Sequence, residues 1–164
     1  MTGPDRAQAR LRVAGVDDLS ARELHDLLRL RVDVFVVEQA CAYPEVDGRD
    51  VEPTTRHVWL EEDGAPVAVL RVLRDPDAVV LGRVATRADR RGHGYAARLV
   101  AAALELVRAE RDTLVRIGAQ AHLEEWYAGF GFRRSGADYL EDGIPHLPME
   151  LVLPGADRGV AGTV

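Results

Sequence analysis

The 164-residue chain has no lysine and no asparagine, one cysteine, and few aromatic side chains, about 5% of the total. Without lysine there is no Walker-type phosphate loop, which needs Lys followed by Ser or Thr. All 21 basic residues are therefore arginine. Arginine and lysine differ too much in geometry and hydration for a blanket functional exchange, so the bias reads as codon usage in a GC-rich genome. The lone Cys41 cannot form an intramolecular disulfide, which fits a reducing, cytoplasmic setting. Met1 to Arg10 lacks an apolar run, so neither a signal peptide nor a membrane anchor is expected. Positive charge is not in excess: 27 acids against 21 bases leave a net charge of -6. That argues against a general nucleic-acid surface, while leaving room for a local basic patch facing one phosphorylated ligand.

The hydrophobic share is 47% and the charged share 29%, ordinary for one soluble domain that buries its own core. Residues 1–8 and 154–164 lack periodicity and read as tails around a single domain at 9–153. Within it, Ser20-Ala21-Arg22-Glu23 is a capping box, after which Leu24, Leu27, Leu28 and Phe35 fall at helical spacing. Residues 41–55 form a long, acid-rich, irregular stretch. Strands are expected at 10–13, 56–61, 67–73, 79–86, 114–119, 133–140 and 147–153, with helices opening at Gly92–Gly94 and at His122. This order predicts an α/β fold with a mixed sheet, in which residues 79–119 form a right-handed crossover between two parallel strands.

The chemistry is concentrated where the most apolar strand runs into a helix through Val84-Ala85-Thr86-Arg87-Ala88-Asp89-Arg90-Arg91-Gly92-His93-Gly94-Tyr95-Ala96-Ala97. The first amides of a helix have no intrahelical acceptor, and the helix dipole adds partial positive charge there. Small side chains let a pyrophosphate approach those amides, and Arg87, Arg90 and Arg91 stand beside them. A dinucleotide fingerprint is excluded, because Ala97 stands where its third glycine belongs and no acid ends the next strand. The alternative is a glycine-rich helix start packed closely on the sheet.

Arg91-Gly92-His93-Gly94-Tyr95-Ala96 resembles the Arg/Gln-x-x-Gly-x-Gly/Ala signature of the GCN5-related N-acetyltransferases (GNAT). Tyr127-Ala128-Gly129-Phe130-Gly131-Phe132 resembles a second landmark of that family. Val34-Phe35-Val36-Val37-Glu38-Gln39, Gly118-Ala119-Gln120-Ala121-His122-Leu123 and Glu141-Asp142-Gly143-Ile144-Pro145-His146 are similar to its ElaA-type branch. The resemblance spans residues 11–153. It implies the acyl-CoA N-acyltransferase fold, with a central mixed sheet of about six to seven strands and flanking helices. It further implies acetyl-CoA as cosubstrate and an amine, small molecule or peptide, as acceptor. Val84, Ala85 and Thr86 would pair with the pantetheine arm, and Arg91, Gly92, His93, Gly94, Tyr95, Ala96 and Ala97 would hold the pyrophosphate. Gln120 stands where many members carry an asparagine that contacts pantetheine. Tyr127 would protonate the departing thiolate, although Leu123, Trp126, Tyr127 and Phe130 also form an i, i+3, i+4, i+7 stripe of the kind that fills cores. Domains of this kind often pair through their sheets, so a homodimer is an expectation carried by the resemblance alone.

An alkyl amine is mostly protonated at pH 7, so a base or water relay must take a proton before it attacks. Glu38 and His146 are the candidates, Glu38 having the alternative of a surface pair with an arginine. His57 reads as structural. The acids Glu45, Asp47, Asp50 and Glu52 read either as a solvated loop or as a rim that attracts a cation. Isolated His93 and His122, and a Cys41 without a histidine at ligand spacing, point to neither a metal site nor a thiol nucleophile. The competing functional class is an acyl-CoA sensor that keeps the cleft without efficient catalysis. Acyl-homoserine-lactone synthesis is a weaker alternative, suggested by residues 28–35.

Overall fold

A computed structural model describes residues 8–154. The expected tails lie outside the described residues, apart from Gln8 and Pro154. The chain folds as β1 (Arg10–Ala14), α1 (Ala21–Val32), β2 (Arg56–Glu62), β3 (Ala65–Arg74), β4 (Val79–Thr86), α2 (Tyr95–Ala109), β5 (Leu114–Gln120), α3 (Glu124–Ala128), β6 (Arg133–Arg134), β7 (Tyr139–Glu141) and β8 (Ile144–Val152). One sheet runs β1-β2-β3-β4-β5-β8-β6, with β7 also paired to β8. Among the described residues only β4 and β5 are parallel, as a strand–helix–strand crossover requires.

Alternation along the strands sorts side chains into two cores. Val58 and Leu60 of β2, with Leu70 and Val72 of β3, face α2, which buries Leu99, Val100, Ala103, Leu104 and Val107 against them. Trp59, Val69 and Ala85 point the other way and meet Leu27 and Leu30 of α1 and Val34 just beyond it. Burying a side chain of this size contributes about 1.5–3 kcal/mol, so the sheet is held between helical layers on both faces. Arg71 shares the parity of Val69 and emerges on the α1 face.

The capping box forms as its spacing predicts: Ser20 Oγ accepts from the Glu23 amide at 3.1 Å, and Glu23 Oε2 accepts from the Ser20 amide at 2.8 Å. Ser20→Ala should lower stability by about 1 kcal/mol in urea unfolding, whereas Ser20→Asp should restore most of it. Beyond α1 the helix widens into a π-helical turn (Asp33–Glu38).

Two expectations need correction. Residues 133–140 are not one strand but β6 and β7, separated at 135–138, which brings the sheet to eight strands. The cause lies in the partner: Pro148 of β8, opposite the break, offers no N–H, so the ladder cannot run on unbroken. The chain bends away after the Ser135 amide bonds to Pro148 O at 2.9 Å. The acid-rich stretch is also not a free rim, because Glu45 and Asp50 are buried.

Candidate active site: a cleft between two parted strands

β4 and β5 are paired only at Val79↔Val115 and Val80↔Arg116. Beyond that point they separate. The reason is a bulge in β4: Val69 faces Ala85 and Arg71 faces Gly82, so Leu70 alone opposes both Arg83 and Val84. Arg83 sits at φ 54°, in the left-handed region a side chain rarely occupies. A bulge bends its strand and increases its twist, which carries β4 away from β5. The gap opens into a cleft of about 780 Å³.

At one end of the cleft stands the start of α2. Gly94 caps the helix at φ 74°, a conformation that glycine adopts without strain, and without a side chain it supplies no capping group. The first helical bond is from the Arg98 amide to Gly94 O, so the amides of Tyr95, Ala96 and Ala97 have no partner among the described residues. Val84, Ala85, Thr86, Arg91, Gly92, Gly94, Tyr95, Ala96, Ala97 and Gln120, all expected at the cofactor site, line this cleft. His93 does not. Its Nδ1 lies 2.9 Å from Arg91 O, which holds the ring over the outside of the turn. Gln120 donates to Gln39 at 3.4 Å across the floor of the groove.

The arginines of the turn are all engaged. Arg87 pairs with Asp89 at 2.6 Å and Arg90 with Glu62 at 2.7 Å. Arg91 donates from Nε to Thr86 O at 3.1 Å and grips Glu38 with both terminal nitrogens, at 2.5 and 2.8 Å. These hydrogen bonds hold the Glu38 carboxyl below its ordinary range. Glu38 thus lines the cleft as an arginine-bound carboxylate, which suits a proton acceptor poorly.

Tyr127 joins the core and the cleft. Its ring packs edge-on against Trp126 at 4.8 Å and Phe132 at 6.0 Å. Its hydroxyl makes no hydrogen bond among the described residues, and burial pushes the phenol up to about 12. The phenol is therefore fully protonated at neutral pH, with its O–H uncommitted.

The far end is built by the β7–β8 hairpin and by the segment after α1. His146 Nδ1 is 2.8 Å from Ile144 O. A carbonyl only accepts, so Nδ1 carries a proton, while Nε2 lies 3.4 Å from Glu141 Oε2. Tyr139 stacks on the imidazole at 5.8 Å and rests its hydroxyl over Gly118, where an added Cβ would collide with it. Cys41 Sγ donates to Asp142 O at 3.4 Å and ties the two walls together.

Behind this end lies a charge cluster that sequence reasoning missed. Arg31 is 1% exposed. It bonds Glu45 Oε1 at 2.5 Å, Asp50 Oδ1 at 2.5 Å and Glu45 O at 3.2 Å. Arg71 holds Asp47 at 2.8 and 2.9 Å and reaches Asp50 at 3.2 Å, while Arg83 Nε lies 2.8 Å from Glu45 Oε2. Three arginines thus meet three acids. His57 donates from Nε2 to Asp50 O, 3.0 Å away, and burial lowers its pKa, so it is a neutral structural residue. A signal for Arg31 did exist: it lies on the Leu24, Leu27, Leu28 stripe, seven residues after the first of them.

Among the described residues, no group of three or more His, Cys, Asp or Glu side chains is gathered for a metal ion, and no helix is long and apolar enough to cross a membrane.

Comparison with known proteins agrees with this geometry. The family profile of the acetyltransferase (GNAT) domain matches residues 23–153. A UPF0039 protein of Mycobacterium tuberculosis H37Rv is 49% identical over 144 residues, covering 85% of this chain and 90% of its own. Protein ElaA of Escherichia coli K12 is 40% identical over 136 residues, covering 80% and 89%. The ElaA crystal structure superposes with a TM-score of 0.82 at 37% identity, over 87% of this chain and 99% of ElaA. An acyl-CoA N-acyltransferase from Pseudomonas aeruginosa superposes with a TM-score of 0.83 at 42% identity, again over 87% and 99%. A parted β4–β5 pair, free amides at the start of α2, and relatives matched over nearly their whole length place this chain in the GNAT superfamily, within its ElaA-like branch.

Proposed function

We propose that residues 9–153 act as one N-acetyltransferase domain, moving acetyl from acetyl-CoA to an amine. The observation that carries this reading is the parting of β4 from β5 beside three unpartnered helix amides. A thioester arm can enter such a slot from one end and an amine from the other. Val84, Ala85 and Thr86 offer strand backbone to pantetheine, with Gln120 opposite. Gly92 to Ala97 take the pyrophosphate.

The amine nitrogen attacks the thioester carbonyl, and the C=O electron pair moves onto oxygen. A β4 amide facing the gap stabilises that oxyanion, a contact whose loss typically costs about 3–4 kcal/mol in the barrier. Collapse of the adduct breaks the C–S bond. The proton leaving nitrogen passes to His146 Nε2, whose imidazolium is then flanked by Ile144 O and Glu141. Tyr127 gives its proton to the departing sulfur. The products are the acetamide and CoA, with His146 and Tyr127 reset by proton exchange with solvent. We place the base at His146 rather than Glu38 because Glu38 is held by Arg91.

The decisive test is calorimetric titration with acetyl-CoA, comparing the wild type with Gly94→Glu. The variant sets a carboxylate against the helix amides and forces a side chain into φ 74°. Micromolar binding by the wild type, weakened at least about 100-fold in a variant of unchanged circular dichroism, is the expected result. A panel of amines, followed by CoA release, then identifies the acceptor. Absence of acetyl-CoA binding in the wild type would overturn the assignment.

A further inference from the structure

The cofactor end of the cleft carries a carboxylate in an unexpected place. Of the acidic residues lining the cleft, Glu141 and Asp142 belong to the β7–β8 hairpin at the far end. Glu38 alone reaches the turn before α2. It ends the π-helical turn that follows α1 and presents both oxygens to the fork of Arg91, at 2.5 and 2.8 Å. The same guanidinium is anchored through Nε to Thr86 O at 3.1 Å, the last residue of β4. Arg91 therefore crosses from the end of the pantetheine strand to the opposite wall, directly before the free amides. Glu62 and Asp89, which hold Arg90 and Arg87, do not line the cleft.

An arginine fork suits carboxylate and phosphate equally well, with two parallel N–H bonds to either. A pyrophosphate seated on the amides of residues 95–97 brings its oxygens to the guanidinium that Glu38 already holds. The two anions cannot share those donors, and like charges drawn to one guanidinium repel one another.

Resting on the acetyl-CoA reading above, we propose that Glu38 is a built-in competitor for the donor's pyrophosphate. It occupies Arg91 with a carboxylate that the pyrophosphate must displace, and so sets the affinity for every CoA species that enters. The pair is half exposed, with side chains 44% and 43% accessible, so its strength is that of a surface ion pair. The expected penalty on binding is accordingly about two- to five-fold.

The test is titration with CoA of the wild type, Glu38→Gln, Arg91→Gln and the double variant, each checked for an unchanged melting temperature. Glu38→Gln should bind CoA about two- to five-fold more tightly than the wild type. In the Arg91→Gln background the same substitution should bring no gain. A gain that persists without Arg91 would mean that Glu38 acts by general charge repulsion, which overturns competition for the fork. Unchanged or weaker binding in Glu38→Gln also overturns it, while wild-type CoA binding leaves the donor site standing. If the wild type binds no CoA, donor site and competitor fall together.

Discussion

Arg31→Ala is expected to lower the stability of the fold by about 3–5 kcal/mol, the usual cost of removing one partner from a buried ion pair. The variant leaves Glu45 and Asp50 buried at 3% and 2% exposure with fewer cationic donors. Arg71 already reaches Asp50 and Arg83 already stands beside Glu45, so neither is held in reserve to replace Arg31. Urea unfolding at pH 7 measures the loss. The acid limb of the stability curve supplies a second signature. Burial alone would raise Asp47 and Asp50, but hydrogen bonds from Arg71 and Arg31 respectively outweigh it, bringing Asp47 down to about 2. A carboxyl lowered in the fold contributes stability above its unfolded value, near 3.8, and loses it as pH falls through the folded value. The wild type should therefore weaken between about pH 4 and pH 2. In Arg31→Ala the Asp50 carboxyl loses its main counter-charge, so acid unfolding should begin at higher pH. A wild-type-like urea midpoint would show that the loop relaxes and lets water reach both acids.

Tyr127→Phe is expected to lower turnover about 100-fold, within the range typical of a positioned general acid. Two other quantities should hardly move. The hydroxyl makes no internal hydrogen bond, so stability should stay nearly constant, and the pyrophosphate and strand contacts should keep CoA affinity within about twofold. The pattern separates chemistry from packing: a core role alone would be satisfied by the phenylalanine ring, which retains the edge-on contacts with Trp126 and Phe132. Steady-state rates with the best amine of the panel, beside calorimetry with CoA, give both values. Equal turnover would remove Tyr127 as the acid.

Local chemistry is legible in the sequence. The Ser20–Glu23 box and the small residues opening α2 follow from interactions within a few residues, and the parallel pairing of β4 with β5 follows from the strand–helix–strand order. Tyr127 could be read as either core or acid, and the structure shows a ring in the core with a hydroxyl left free. What could not be read depends on pairs distant in sequence. Glu45 and Asp50 lie 14 and 19 residues beyond Arg31, and as a string of acids they look like solvated loop. Gly118 carries no sign that Tyr139 will cover it. The break at 135–138 did leave a trace, since Ser135, Gly136 and Asp138 are turn formers, but alternation on either side masked it. Glu38 could be read as a base or as the partner of a surface arginine, but not as the partner of Arg91, which lies 53 residues away.

The two backbone pairs that join β4 to β5 divide the sheet into leaves, β1–β4 and β5–β8, that are richly laddered within and barely laddered across. Cooperativity between them cannot come from the ladder. It rests on side chains: one apolar cluster runs from Leu70 and Val72 through Leu99, Val100 and Ala103 to Ile117, Leu147 and Met149, crossing the seam under α2. That helix packs on β2, β3 and β4 and leads directly into β5, so it works as the hinge pin of the molecule. The same opening that admits a thioester thereby moves the burden of all-or-none folding onto one helix, and sequence drift along the buried face of α2 is constrained by folding as well as by the ligand at its first turn.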